Sequence, residues 1–209
     1  MSQLDLKRRI RECQIVPVLT IHDADQAVDI ARALIGGGID VLEVTLRTDA
    51  ALDAIENIKT AGLECITGAG TVTTSDDISA CERVGADFIV TPATPREMFE
   101  PLLNFDGLVL PGAATPTEAL TLYQLGFDVV KFFPAEAAGG VSMLKALSAP
   151  LPGIRFMPTG GISLKNASDY LALPNVLAIG GSWLCTDADV NASDWAGIAD
   201  KARTARQFS

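Results

Sequence analysis

One of the six lysines in this chain stands apart from the rest. Lys7, Lys59, Lys145, Lys165 and Lys201 fall in helical or terminal segments with polar neighbours, whereas Lys131 lies in Val129-Val130-Lys131-Phe132-Phe133-Pro134. An ammonium among apolar residues is costly to bury, and desolvation favours the neutral amine. A neutral amine is the nucleophile that a Schiff-base reaction needs. A lysine held by a buried carboxylate for purely structural reasons gives the same pattern. A second segment, Val41-Leu42-Glu43-Val44-Thr45-Leu46-Arg47, alternates with period two. That spacing puts Glu43, Thr45 and Arg47 on one face of a strand. Glu43 can move protons as acid and base, and Arg47 can hold a carboxylate in a bidentate fork. An internal Glu–Arg pair is the alternative reading.

Three glycine-rich segments follow strand-like runs. Gly68-Ala69-Gly70-Thr71 opens like a dinucleotide fingerprint, but Thr73 stands where the third glycine belongs. Pro158-Thr159-Gly160-Gly161-Ile162-Ser163 and Gly180-Gly181-Ser182 end the seventh and eighth runs. In barrels of alternating strands and helices, the loops after those two strands often bind phosphate through backbone N–H groups and a helix N-terminus. Ordinary loop glycines are the plainer alternative. His22, the only histidine, reads as a loop or capping residue. Asp187–Asp194 lacks the glycine and closing glutamate of a calcium loop and reads as a solvated loop.

Eight strand candidates must carry these residues: Ile15–Ile21, Val41–Arg47, Cys65–Val72, Phe88–Ala93, Leu108–Ala113, Val129–Pro134, Arg155–Thr159 and Val176–Gly180. Amphipathic segments separate them, with Thr48, Ser75, Thr94, Thr115, Ser163 and Ser193 at expected N-caps. The first dozen residues read as a frayed start. Alternating units imply parallel strands with right-handed crossovers. Eight units predict a compact (β/α)₈ TIM barrel, with residues 1–209 as one domain; an open doubly wound sheet is the alternative. In either, the working residues lie at the C-terminal ends of the strands.

Composition narrows the chemistry further. With 48% hydrophobic and 20% charged residues, the chain is expected to fold. A net charge of −10 and no basic cluster beyond Lys7-Arg8-Arg9 and Arg11 argue against a nucleic-acid partner. Four scattered cysteines without a CxxC pair fit reduced thiols in a cytoplasmic protein. No apolar run reaches the roughly 18 residues of a membrane span, so neither membrane nor targeting segment is expected. A single histidine leaves lysine, carboxylates and backbone dipoles as the available catalytic groups.

Taken in order, five segments resemble the bacterial 2-keto-3-deoxy-6-phosphogluconate aldolase family (KDPG/KHG aldolases). They are Val41–Thr48, Gly68–Val72, Lys131–Glu136, Pro158–Ser163 and Gly180–Leu184. The resemblance implies a homotrimeric barrel without metal or cofactor. Its reaction is reversible cleavage of the phosphorylated 2-keto acid to pyruvate and glyceraldehyde 3-phosphate. The family's Schiff-base lysine falls on Lys131 and its proton-transfer glutamate on Glu43. Contacts to the pyruvate carboxylate fall on Arg47 and Thr71, with Pro92 nearby. Phe133 matches a pocket-wall aromatic, and Thr159 a substrate contact that influences stereochemistry at C4. Gly160, Gly161 and Ser182 match the phosphate site. Thr91-Pro92-Ala93 and Ala113-Ala114 depart from the family pattern. The Pro-Thr-Gly-Gly form favours the phosphogluconate enzyme over its phosphogalactonate relative. An aldolase preferring 4-hydroxy-2-oxoglutarate or the phosphogalactonate substrate, and a non-catalytic phosphometabolite-binding barrel, are the alternatives.

Overall fold

A computed structural model describes residues 1–208. Its strands are β1 (Ile15–Leu19), β2 (Val41–Thr45), β3 (Ile66–Gly70), β4 (Phe88–Val90), β5 (Leu108–Leu110), β6 (Gly112–Ala113), β7 (Val129–Phe132), β8 (Arg155–Pro158) and β9 (Ile179–Gly181). All ladders are parallel. Apart from Arg155, every strand residue is buried, as expected of strands covered on both faces.

The ladders do not form the single eight-stranded (β/α)₈ sheet expected. They form a curled six-stranded half-barrel, β5-β4-β3-β2-β1-β9, and a three-stranded sheet, β6-β7-β8. The first break has a covalent cause. Pro111 has no N–H, so the fifth strand candidate splits into β5 and β6. The Thr91 hydroxyl takes up the Gly112 N–H at 2.8 Å, and Pro111 still accepts from the Lys131 N–H at 2.9 Å. At the other break, β8 meets the last strand through two isolated bridges, Phe156 to Val176 and Thr159 to Gly180.

The α-helices are α1 (Gln3–Cys13), α2 (Ala27–Gly36), α3 (Ala51–Thr60), α4 (Ser75–Arg83), α5 (Phe99–Asn104), α6 (Pro116–Gln124) and α7 (Gly140–Ser148). They are followed by α8 (Ala167–Leu171), α9 (Asp187–Asn191) and α10 (Trp195–Ala205). Thr115 caps α6 as expected, and its capping box with Glu118 satisfies two free N–H groups. Two other caps sit one residue from the expected position. Thr74, not Ser75, closes a box with Asp77, and Asp194, not Ser193, caps α10. Thr48 caps no helix, and Ser163 caps only the turn that leads into α8, where its hydroxyl accepts the Lys165 N–H at 3.3 Å. The Thr48 hydroxyl donates to the Ile21 carbonyl, and the Ser163 N–H goes to Asn166. The Asp187–Asp194 stretch contains α9, capped by Thr186 and Asp189, rather than an open loop.

The supposedly frayed start is also helical. Ser2 caps α1, and Leu6, Ile10 and Cys13 form one buried face. Gln3 donates to the Gly107 carbonyl at 2.9 Å, and Arg9 and Lys7 pair with Asp40 and Asp128. Those partners immediately precede β5, β2 and β7, so α1 crosses the N-terminal ends of the strands. The opposite, C-terminal ends are left for the site.

Candidate active site

β7 places Lys131 in register with Gly112 on one side and Met157 on the other. β2 places Glu43 between Val18 and Gly68. Both strands thus send a charged side chain to a common point. Lys131 Nζ donates to Glu43 Oε1 at 3.3 Å, with both side chains at most 3% exposed. Burial of two opposite charges is tolerated when they meet in this way. Glu43 pairs with Lys131 and not with Arg47, which sets aside the internal Glu–Arg pair. A neighbouring glycine makes the geometry possible, since a Cβ on Gly70 would occupy the space of the Glu43 carboxylate.

Arg47 lies beyond the end of β2, which stops at Thr45, so its placement does not follow from strand alternation. Its Nε donates to Thr71 Oγ1 at 3.2 Å, and its terminal nitrogens form no ion pair among the described residues. Thr71 has a φ of 58°. A β-branched residue is strained there, by roughly 1–3 kcal/mol. The strained turn after β3 is what brings its hydroxyl to the guanidinium. Pro92 is half-buried and packs its backbone against Gly112, the residue opposite Lys131.

Beside the pair opens a cleft of about 270 Å³ lined by Val18, Arg47, Phe133, Thr159, Gly160, Gly161, Ile162, Gly180 and Ser182. The Phe133 ring joins cleft and pair, with its centroid 5.4 Å from Lys131 Nζ. Seven of the ten expected site residues are therefore in the cleft or its wall (Arg47, Phe133, Thr159, Gly160, Gly161, Ser182) or reach it through Arg47 (Thr71). Lys131, Glu43 and Pro92 do not line it. Gly160 and Gly161 have φ of 100° and 78°, a region open to glycine. The segment after Ser182 is a turn, not a helix, so the expected helix N-terminus is missing there and backbone N–H groups remain as donors.

Of the five buried side-chain polar atoms without a protein partner among the described residues, three lie at this end: Glu43 Oε2, Thr159 Oγ1 and Trp183 Nε1. Such atoms are rare in folded proteins. A larger groove of about 660 Å³ between α7 and α8 contains no buried polar side chain. Among the described residues no group of His, Cys, Asp and Glu could hold a metal, and no helix is long and apolar enough to cross a membrane. All four cysteines are free.

Val18 in the cleft wall carries no chemical signal in the sequence, and Ile162 and Gly70 stand out there only as members of their glycine-rich segments. A buried tyrosine, Tyr170, also escapes notice. Its hydroxyl donates to Glu136, whose stem lies against Gly161. Burial pushes its phenol up, and the bond to Glu136 adds to this, so it remains a protonated donor.

A family model described as KDPG and KHG aldolase matches residues 6–201. The 2-dehydro-3-deoxy-phosphogluconate aldolase of Pseudoalteromonas atlantica is 47% identical over 192 residues, which cover 91% of this chain and 89% of that protein. The KDPG aldolase of Legionella pneumophila, solved with pyruvate captured at low pH as a covalent carbinolamine, superposes with a TM-score of 0.92. It is 37% identical, with 95% of this chain and 96% of that one covered. The 2-keto-3-deoxy-6-phosphogluconate aldolase of Zymomonas mobilis, solved with 3-phosphoglycerate, gives a TM-score of 0.91. It is 36% identical, with 100% and 98% covered.

Proposed function

The chain belongs to the KDPG and KHG aldolase family, and we infer that it cleaves 2-keto-3-deoxy-6-phosphogluconate reversibly to pyruvate and glyceraldehyde 3-phosphate. It is a class I, Schiff-base aldolase and a carbon–carbon lyase. The observation that carries the assignment of residues is the buried Lys131–Glu43 pair, joined through the Phe133 ring to a cleft with a cation and two glycine loops.

Lys131 Nζ attacks the C2 ketone, and loss of water leaves an iminium. That cation draws the electrons of the C3–C4 bond once the C4 hydroxyl gives up its proton. Glyceraldehyde 3-phosphate departs and an enamine remains. Glu43 takes the hydroxyl proton, through a water, and returns one to C3; hydrolysis then frees pyruvate and Lys131. Arg47 and Thr71 hold the pyruvate carboxylate, supported by the unpaired guanidinium terminus, with Pro92 beside them. Phe133 walls the pocket. Thr159, with its free hydroxyl, contacts the substrate near C4. Gly160, Gly161 and Ser182 receive the phosphate, as 3-phosphoglycerate bound to the Zymomonas relative supports in kind.

The parallel pairing of first strand with last, the bridges Phe156 to Val176 and Thr159 to Gly180 beside β8 and β9, and the Lys131–Pro111 bond support one closed (β/α)₈ barrel in a single domain. The resemblance carries a cytoplasmic homotrimer, which sedimentation at micromolar concentration tests.

Borohydride reduction with pyruvate is the deciding experiment. We expect a pyruvate-derived adduct on Lys131 and none in Lys131→Ala. An adduct on another lysine defeats the assignment to Lys131, and none in the wild type defeats the mechanism and leaves a phosphometabolite-binding barrel. Comparing kcat/KM for the phosphogluconate, phosphogalactonate and 4-hydroxy-2-oxoglutarate substrates ranks the aldolase alternatives.

A further inference from the structure

The loop after β8 is tied down through its carbonyl groups. The Thr159 carbonyl accepts from the Ala135 N–H at 2.8 Å, and the Gly160 carbonyl from the Glu136 N–H at 3.1 Å. The Gly161 carbonyl accepts from Asn166 Nδ2 at 3.2 Å. The same amide uses its oxygen to accept the Ser163 N–H at 2.8 Å. One donor partner and one acceptor partner fix which way the Asn166 amide faces.

These peptides are trans. In a planar trans peptide the carbonyl of one residue and the N–H of the next point in opposite directions. Each anchored carbonyl therefore sets the direction of the following N–H. Glu136 sets that of Gly161, and Asn166 that of Ile162. Both Gly161 and Ile162 line the cleft, while Asn166 does not. Neither N–H donates to any group among the described residues. Successive free N–H groups aimed at one point form an anion-binding nest. Two of the three carbonyl anchors are backbone. Asn166 is the only side chain among them.

We propose that Asn166 is a positioning residue for phosphate recognition: it holds the Gly161 carbonyl so that the Ile162 N–H faces the cleft. It touches no substrate. Its effect is confined to the phosphate end, because Lys131 and Glu43 stand on β7 and β2, outside the loop it holds. The inference rests on the phosphate site placed at Gly160, Gly161 and Ser182 above.

The test compares Asn166→Ala with wild type on the phosphorylated keto acid and on 4-hydroxy-2-oxoglutarate, with inorganic phosphate as a competitive inhibitor. Losing one aligned hydrogen bond to an anion raises KM for the phosphorylated substrate by roughly 10-fold. The inhibition constant of phosphate rises by a similar factor. kcat, borohydride trapping on Lys131 and KM for the unphosphorylated substrate stay within about twofold. Asn166→Ser, too short to reach both partners, carries the same expectation if the alanine variant does not fold. Equal losses on both substrates, or no loss on either, overturn the proposal. A wild-type enzyme that neither prefers the phosphorylated substrate nor binds phosphate defeats the underlying site assignment instead, whatever the variants do.

Discussion

At the residue scale the sequence leaves two readings of Lys131 open, a reactive amine and a lysine held by a buried carboxylate. They meet in one pair, because the buried carboxylate is Glu43. Glu43 compensates the ammonium, and its Oε2 has no protein partner, as the proton carrier of the proposed mechanism requires. Glu43→Gln keeps the shape and removes the base. We expect turnover to fall by about 10²–10⁴-fold, while borohydride still traps pyruvate on Lys131. Equal loss of trapping and turnover would place Glu43 in imine formation alone. Gly70 tests position rather than chemistry. The three atoms nearest a Cβ there all belong to the Glu43 side chain, and Gly70 is not at positive φ. Gly70→Ala should therefore fold but displace the carboxylate, lowering kcat about 10-fold or more, as small misplacements of catalytic groups do. Gly70→Ala combined with Glu43→Asp, a shorter carboxylate, should recover part of that loss in steady-state assays.

At the element scale, local signals locate helices better than they fix their ends. The Thr115-x-x-Glu118 spacing marks the start of α6 correctly, because both partners of the capping box are local. Thr115→Ala should cost about 1 kcal/mol of unfolding free energy, measured by urea denaturation. The same cap makes stability depend on pH. The backbone N–H of Ala114, then the hydroxyl and N–H of Thr115, hold the Glu118 carboxyl below its usual value. A depressed carboxylate stabilises the fold above its unfolded pKa, near 4.3, and that contribution is lost as pH falls through the lower folded value. Urea midpoints of wild type and Glu118→Gln should thus differ at pH 7 and converge in acid below the folded value. A gap that stays constant across this range would remove the carboxylate from the account. At β2, by contrast, local pattern overshoots. Alternation continues to Arg47 in the sequence, but pairing ends at Thr45, and a strained Thr71 on the next strand's exit orients the guanidinium.

At the scale of the whole molecule, chemistry and stability sit at opposite ends of the strands. α1 closes the N-terminal end with Leu6, Ile10 and Cys13 inward, and the candidate site opens at the other. Ile10 is fully buried. Ile10→Ala should lower unfolding free energy by about 2–5 kcal/mol and leave kcat of the folded enzyme at 25 °C near wild type. A matching fall in kcat would couple the two ends. The net charge of −10 does not prevent anion binding, because the charge is spread over the surface. In the proposed site, recognition falls to one guanidinium and to oriented N–H groups, which act over the few ångströms within the cleft.

Type, order and spacing of residues by themselves determined the eight strand candidates, the parallel α/β class, the family and the lysine–glutamate–arginine set. Those signals are local: hydrophobic period, cap residues, glycine loops and the cost of a lysine in an apolar run. Tertiary structure alone decided that Glu43 pairs with Lys131 and not with Arg47, since strands 88 residues apart must meet first. It alone gave Gly70, Asn166 and Tyr170 their places, because a close approach or a carbonyl anchor depends on a partner far along the chain. The split at Pro111 lies between these cases. Its missing N–H is written in the residue, but only a neighbouring strand can miss it.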